Sequence, residues 1–192
     1  MSAMGLLEPT LDGLAMTHRE TVPRLLTERL VLRAPGETDI PAWFERATDR
    51  ESAYLAGGPI PADISEGKAW LNEARTMAEK GERLLWSIDI RNGPVSIGSV
   101  GLTLTEPGVS FVIGRPFWRL GYATEAARKV IKYGFEVLGI SKVVSEFVVE
   151  NAGSRRVHEK LGFGQVETFV DDFDGAQCER HILSARMIEY GR

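Results

Sequence analysis

The sequence predicts an α+β fold in which about four helices cover the faces of one mixed sheet of about seven strands. Three observations support this prediction. Three short apolar strand patterns follow one another in the middle of the chain with no helix between them. Longer patterns with helical spacing stand before and after them. The first strand ends at Pro35-Gly36 and lacks the glycine-rich loop that follows the first strand of a doubly wound dinucleotide-binding fold.

The first third of the chain is predicted to form one strand and two helices. Residues 29–34 alternate in polarity and predict a strand that Pro35-Gly36 ends. Residues 37–49 have helical spacing and predict the first helix. The segment 54–59, Tyr-Leu-Ala-Gly-Gly-Pro, is predicted to interrupt the helical region. A second helix is then expected to begin near Ser65.

The remaining elements are predicted from turn signals and periodicity. Asn92-Gly93-Pro94 is a strong hairpin signal between two strands, and 121–138 is the longest amphipathic helix. The predicted strands are 84–90, 96–104, 109–113, 142–149, 165–170 and 181–188, and a short helix is predicted at 152–161. The predicted inner face of the long helix consists of Ala123, Ala127, Val130, Ile131, Gly134 and Leu138.

Length and charge limit the classes of protein to consider. The 192 residues are 43% hydrophobic, which suffices for one domain with its own core. The formal net charge of −4 argues against a broad basic surface for nucleic acid. No apolar run approaches the roughly 20 residues of a membrane-spanning helix. We therefore expect no nucleic-acid partner and no membrane partner.

The chain start and the cysteine content suggest an organisation and a location. Residues 1–24 include acidic side chains and no continuous apolar segment, so we interpret them as a flexible N-terminal tail and 25–192 as a single domain. Cys178 is the one cysteine and cannot form an intrachain disulfide, which suits the reducing cytoplasm. Its polar neighbours favour a bystander thiol over a nucleophile.

The segment from Ile113 to Ala126 is the sharpest local feature. A strand ends there, a loop follows, and a helix begins through Gly121 and Ala123. The first amides of a helix have no acceptor within the helix, and the helix dipole places positive charge at the same end. Such a helix start attracts phosphate. On spacing alone, the alternative stays open that Gly121 only permits a tight helix entry.

Two separated segments resemble the paired signatures of the GNAT acetyltransferases. They are Trp118-Arg119-Leu120-Gly121-Tyr122-Ala123-Thr124-Glu125-Ala126 and Asn151-Ala152-Gly153-Ser154-Arg155-Arg156-Val157-His158-Glu159-Lys160-Leu161-Gly162-Phe163. The likeness extends from about Leu25 to Ile188 and is nearest to the RimJ and RimL type of ribosomal-protein N-terminal acetyltransferase. It implies the GNAT fold, with a mostly antiparallel sheet, for a single N-acetyltransferase domain at 25–192.

The resemblance also implies an activity. Acetyl-CoA is the expected acyl donor, with no metal, and the expected acceptor is a primary amine, either a protein N-terminal α-amine or a small molecule. The amine attacks the thioester directly, with no covalent enzyme intermediate. Tyr54 and Asp171-Asp172 are candidates for contact with the acceptor. Whether the protein is a monomer or a homodimer stays open.

Cofactor contacts are assigned through the resemblance. Backbone amides of Arg119, Leu120, Gly121, Tyr122, Ala123 and Thr124 are expected to hold the CoA pyrophosphate. Phe111, Val112 and Ile113 are expected beside the pantetheine arm, where one strand amide faces the thioester oxygen. Asn151 is expected to hydrogen-bond the arm, and it can cap the short helix at the same time. Lys160 either meets the 3′-phosphate or is solvated. Trp118 stands where the superfamily usually has Gln or Arg.

The resemblance gives two candidate catalytic residues and one missing group. Ser154 aligns with a serine proposed to protonate the departing thiolate, and a helix-start hydroxyl is its alternative role. His158 stands where many members have a tyrosine, and its imidazole is the second candidate acid. Relatives often carry a glutamate where this chain has Gly108-Val109-Ser110. Substitutes for it are Glu106, Glu146, Asp171 or a water chain. Its absence also leaves open an acyl-CoA-binding sensor that has lost catalysis.

Overall fold

The computed structural model describes residues 21–172 and 175–186. Within these residues the chain forms eight strands and five α-helices. Their bounds are β1 (Leu25–Leu26), β2 (Leu30–Arg33), α1 (Ile40–Thr48), α2 (Arg50–Ala56), α3 (Glu66–Glu79), β3 (Arg83–Ile90), β4 (Gly98–Thr103), β5 (Gly108–Ile113), α4 (Tyr122–Glu136), β6 (Lys142–Val148), α5 (Ala152–Leu161), β7 (Gly164–Val170) and β8 (Gln177–Ser184). Single turns of 3-10 helix at Glu37–Asp39 and Arg115–Phe117 precede α1 and α4.

All eight strands lie in one sheet, in the order β1-β2-β3-β4-β5-β6-β8-β7. Every neighbouring pair is antiparallel except β5 and β6, which are parallel. The predicted α+β fold with a mixed, mostly antiparallel sheet is therefore confirmed. The structure has one strand more than the predicted seven and one helix more than the predicted four, because β1 and α2 are short elements that no periodicity marks.

Helices cover both faces of the sheet. Side chains alternate along β3, so that Leu84, Trp86 and Ile88 join the core cluster beneath α4 while Leu85 faces α3. The α4 side of that cluster consists of Ala126, Ala127, Val130 and Ile131. The predicted inner face of α4 is correct except at its end. Leu138 lies after the helix and is 40% exposed.

Two predictions of secondary structure are wrong, and both have a physical reason. Residues 54–56, predicted as a break, form the last turn of α2, because the Asp49 side chain accepts a bond from the Ser52 amide and Gly57 ends the helix with a φ of +66°. The last strand is Gln177–Ser184 and not 181–188. Its polar residues Glu179 and His181 are buried and hydrogen-bonded to each other, so hydrophobicity alone does not reveal it.

The predicted N-terminal tail overlaps the described residues only in part. Residues 1–20 lie outside them. Val22 packs against the core, and the Trp86 indole Nε1 donates a 2.6 Å hydrogen bond to the Pro23 carbonyl. Val22 and Pro23 of the predicted tail therefore contact the domain.

A buried carboxylate fixes the start of α1 to the sheet. Asp39 has no exposed surface and accepts bonds from both terminal nitrogens of Arg33 at 2.7 and 2.8 Å, from the Gly36 amide and from Ser87 Oγ. Burial alone would raise the pKa of Asp39, but these bonds outweigh it and hold its pKa below the usual value. The ionised carboxylate thus stabilises the fold.

We expect Asp39→Asn to lower the free energy of unfolding at pH 7 by about 3 kcal/mol, because it removes the buried carboxylate that pairs with the partly buried Arg33. A depressed pKa means that this stability is present above about pH 4 and is lost as the pH falls through the folded-state pKa. Urea unfolding at pH 7 and pH 3 measures both effects. Asp63→Asn, at an exposed aspartate, is the control and is expected to change the free energy of unfolding much less. A loss at Asp39 that does not change with pH would contradict this assignment.

Candidate active site

A gap opens in the middle of the sheet between β5 and β6. The two parallel strands pair at one register point, Gly108↔Val144, near the start of each. From there β5 continues to Ile113 and β6 to Val148 with no further pairing between them. The gap is therefore closed at the Gly108 end and open at the end where β5 leads into the loop before α4.

Backbone groups on both sides point into this gap. The Gly114 amide donates to the Ile97 carbonyl, on the β4 side, at 2.8 Å. Because main-chain groups alternate in direction along a strand, those of Phe111 and Ile113 point into the gap and those of Val112 point to β4. On β6 the Val144 amide donates to the Pro107 carbonyl at 2.9 Å. The main-chain groups of Glu146 and Val148 therefore also point toward the gap. Two strand edges facing each other can hold an extended chain that carries amide groups.

Trp118 and Asn151 form hydrogen bonds with two of the main-chain carbonyls at the open end. The Trp118 indole Nε1 donates to the Ile113 carbonyl at 2.6 Å, and the Asn151 amide donates to the Val148 carbonyl at 2.8 Å. Each strand edge is thus held by the segment that follows it. Of the three residues predicted beside the pantetheine arm, Phe111 and Ile113 present main chain to the gap and Val112 does not.

The loop before α4 brings free amides to the open end of the gap. Gly121 is the N-cap of α4 with a φ of +84°, and Arg119 also has a positive φ, of +63°. The first helical bond runs from the Glu125 amide to the Gly121 carbonyl. The amides of Tyr122, Ala123 and Thr124 therefore have no acceptor within the helix. Arg119 to Thr124, the predicted pyrophosphate loop, is this turn.

A groove of about 430 Å³ lies at the same helix start, and its lining includes three basic and two acidic side chains. The lining residues are Glu28, Arg29, Gly121, Thr124, Glu125, Arg128 and Lys160. Lys160, for which the sequence left two roles open, borders this groove. Three basic side chains beside a helix N-terminus suit a ligand with several phosphates. The residues of this structure therefore fit the phosphates of acetyl-CoA.

Arg29 is a groove residue that the sequence analysis missed. Its Nε lies 2.6 Å from Glu125 Oε2, its NH1 donates to the Leu120 carbonyl at 3.0 Å, and its guanidinium lies 4.6 Å from the centre of the Tyr122 ring. It therefore holds the loop from the connection between β1 and β2. Nothing in the sequence near Arg29 could reveal these contacts, since Glu125 lies 96 positions away. Arg128, in the second turn of α4, also borders the groove and is not among the predicted site residues.

Asn151 caps α5 and ties it to α2. Its Oδ1 accepts from the Ser154 amide at 2.9 Å, and its Nδ2 donates to the Leu55 carbonyl at 3.0 Å. The capping role is thus present, and contact with a pantetheine arm stays a prediction. Ser154 lies in the first turn of α5 and is partly exposed.

His158 lies beneath the gap on the face that α5 covers. Its side chain has no exposed surface, and its Nε2 is 2.9 Å from Ser145 Oγ. Burial, with a smaller effect of the nearby His181, lowers the pKa of His158 to about 4. The imidazole is therefore neutral at pH 7. Its predicted role as an acid stays a prediction.

Only one of the three candidate carboxylates borders the gap. Advancing two residues along both strands from Gly108↔Val144 places Ser110 opposite Glu146, and both side chains are exposed on the face away from α5. Glu106 lies in the turn before β5, at the closed end. Asp171 lies in the turn between β7 and β8. Glu146 is therefore the carboxylate nearest to where the strands part.

Arg180 of β8 fixes Glu146 in a cross-strand row. Arg180 pairs in register with Glu146 and with Glu167 of β7, and it forms an ion pair with each. The two glutamates are similarly exposed, at 43% and 46%. On the other side of the gap Arg83 donates to Ser110 Oγ at 3.0 Å. Polar side chains thus flank the gap where it begins.

Other predicted features have these positions in the described part of the chain. Tyr54, a predicted acceptor contact, is 55% exposed near the end of α2. Cys178 is buried on β8 and forms no disulfide there. Across residues 21–172 and 175–186 no helix has the length and apolar character to cross a bilayer, and no cluster of three or more His, Cys, Asp or Glu side chains could hold a metal ion.

Comparison with known proteins gives a consistent result. Residues 29–164 match the family model described as acetyltransferase (GNAT) domain. The chain is 33% identical over 184 residues to the uncharacterized N-acetyltransferase C18E5.08 of Schizosaccharomyces pombe, covering 85% of this chain and 96% of that protein. It is 27% identical over 146 residues to the uncharacterized N-acetyltransferase YoaA of Bacillus subtilis, covering 73% of this chain and 82% of the other.

A solved structure supports the fold. Mycobacterium smegmatis RimJ in complex with CoA-disulfide superposes with a TM-score of 0.73 at 17% identity, over 85% of this chain and 84% of that one.

Proposed function

This chain belongs to the GNAT acetyltransferase family, and we propose that it transfers the acetyl group of acetyl-CoA to a primary amine, either a protein N-terminal α-amine or a small molecule. One observation supports this proposal most strongly. The gap between β5 and β6 opens directly onto the free amides at the start of α4 and onto a groove lined by Arg29, Arg128 and Lys160. A strand gap and a phosphate site in line suit a long thioester with a diphosphate at one end.

We assign the binding of acetyl-CoA to these two features. The amides of Tyr122 to Thr124 and the three cations hold the phosphates. The extended arm is held by main-chain groups of Phe111 and Ile113 on one side and of Glu146 and Val148 on the other. Acetyl-CoA supplies the activated acetyl group. Arm and phosphates together fix its position, which contributes to the rate by proximity.

Glu146 is the group that we assign to the acceptor amine. It borders the gap where the strands part, and Arg180 holds its side chain in place. An ammonium beside Glu146 can give up a proton to the carboxylate, directly or through one water, before the nitrogen attacks. Glu146 would thereby replace the glutamate that relatives often carry near the start of β5, where this chain has Gly108-Val109-Ser110.

Ser154 is the proton donor that we prefer for the departing sulfur. It is partly exposed in the first turn of α5, which follows the open end of β6. His158 has no exposed surface, and its imidazole already bonds Ser145. A group that gives a proton to a ligand must come within hydrogen-bond reach of it, which favours the hydroxyl.

The acceptor follows from a comparison of proton costs. Deprotonating an α-amine of pKa near 8 at pH 7 costs about 1.4 kcal/mol, whereas deprotonating a lysine amine of pKa near 10.4 costs roughly 4 to 5 kcal/mol. A single partly exposed carboxylate is a modest base, so an α-amine is the better match. The sequence resemblance to the ribosomal-protein N-terminal acetyltransferases also favours an N-terminal α-amine. We place the enzyme in the cytoplasm, which suits a sequence with a single cysteine.

A screen of acetyl-CoA turnover tests the proposal. Free CoA is measured by thiol titration with purified protein and one candidate acceptor at a time: peptides with free N-termini, the same peptides with blocked N-termini, polyamines, aminoglycosides and amino acids. We expect CoA release that depends on a free α-amine, with a mass increase of one acetyl group on the acceptor. Tight CoA binding with no amine-dependent release from any acceptor would instead identify a sensor.

A further inference from the structure

The imidazole of His158 contacts both sides of the gap. On the β5 side the Phe111 ring meets it edge-on at 5.9 Å between centroids. On the β6 side Phe147 lies at 4.7 Å and Ser145 Oγ at 2.9 Å from Nε2. The Phe163 ring stacks on it at 4.7 Å. One side chain of α5 therefore fills the space beneath the two strands where they stop pairing.

The hydrogen bonding of this imidazole favours a fixed, neutral ring. His158 Nδ1 is buried with no partner among the described residues, so an added proton there would be a buried donor without an acceptor. The nearby Glu179 carboxylate is bonded to two other side chains. His181 Nε2 lies 3.0 Å from Glu179 Oε2, and Arg155 of α5 donates to Glu179 Oε1 at 2.7 Å. The ring of His181 is 5.1 Å from that of His158.

We propose that His158 is a positioning residue that keeps β5 and β6 apart, so that the arm of acetyl-CoA can enter between them. The strands are parallel, and their register past Gly108↔Val144 would allow further hydrogen bonds from Phe111 and Val148 if they approached. The imidazole lies below the two strands and contacts both the Phe111 ring and the Phe147 ring. The ring thus opposes closure by its volume, and proton transfer is not its role.

Two variants separate the volume of the ring from its acid–base chemistry. His158→Phe keeps an aromatic ring and removes both nitrogens, whereas His158→Ala removes the ring. The inference rests on the proposed function for its ligand, so the first measurement uses none. Amide hydrogen exchange of Phe111 and Val148 is followed by NMR in the free protein. We expect exchange at least tenfold slower in His158→Ala, because the strands pair, and a rate within threefold of the unchanged protein in His158→Phe.

Binding and pH dependence complete the test. By calorimetry with CoA alone, we expect the Kd to rise at least tenfold in His158→Ala and less than threefold in His158→Phe. The pH profile of kcat should keep its shape in His158→Phe, which a proton donor would not allow. Unaltered exchange in a folded His158→Ala, or a lost alkaline limb in His158→Phe, would overturn the inference.

If the alanine variant does not fold by circular dichroism, His158→Val takes its place with the same expected outcomes. Failure of the proposed function would show as absent turnover with the exchange pattern intact.

Discussion

Replacing Gly121 by aspartate is expected to raise the Kd for acetyl-CoA more than 100-fold. Gly121 is the N-cap of α4, beside the amides that we assign to the diphosphate. A carboxylate about 5 Å from one phosphate charge costs roughly 3 kcal/mol at an effective dielectric constant near 20, and 1.4 kcal/mol is a factor of ten in affinity. Isothermal calorimetry with CoA at constant ionic strength measures the change.

Gly121→Asn is the matched control for charge. Both side chains have the same shape, and both tolerate the left-handed backbone of this position, a φ of +84°, better than other non-glycine residues. A Cβ at Gly121 would lie 3.4 Å from the flexible end of Arg29, so the fold has room for it. We expect Asn to weaken binding about tenfold and Asp far more. Equal affinities of the Asp variant and the unchanged protein, both folded, would place the diphosphate elsewhere.

Replacing Glu146 by glutamine is expected to lower kcat at pH 7 about 100-fold. The amide keeps the size of the side chain and its exposed position beside the gap but cannot take a proton from the acceptor. The loss of kcat should become smaller as the pH rises toward 9, because an α-amine of pKa near 8 is then deprotonated in solution without a catalytic base. The pH profile of kcat from pH 6 to 9.5 checks both features, and the Kd for CoA should change less than threefold.

Glu167→Gln is the control for the shared arginine. Glu167 pairs with the same Arg180 and is similarly exposed, but it lies on β7, at the far side of β8 from the gap. We expect it to lower kcat less than threefold. Equal losses in the two variants would indicate that Arg180, and not a carboxylate at the gap, matters for turnover. An E146Q variant with full activity at pH 7 would leave the base to a water chain.

Local signals explain which elements could be predicted from the sequence. The short helix α5 was predicted with its correct bounds, because Asn151 caps its start and Gly162 ends it with a φ of +84°. The entry to α4 was predicted for the same reason, since Gly121 is a local backbone requirement. The seven-residue α2 was missed because Gly57-Gly58-Pro59 dominates the pattern around it, and its capping aspartate lies before a segment with little periodicity.

The active site was less predictable because its features depend on long-range pairing. No residue pattern in β5 or β6 reveals that the strands pair at one point only. The contact of Arg29 with Glu125 and the row formed by Glu146, Arg180 and Glu167 also join distant positions. The resemblance supplied the residues at the start of α4 and on α5, but the burial of His158 follows only from how α5 packs on the sheet.

A crystal structure of the protein with CoA tests the central claim most directly. We predict electron density for the diphosphate within hydrogen-bond distance of the amides of Tyr122 to Thr124. The pantetheine arm should lie between β5 and β6. Density for CoA at another surface, or side chains of the protein itself covering those helix-start amides in the complex, would contradict the account.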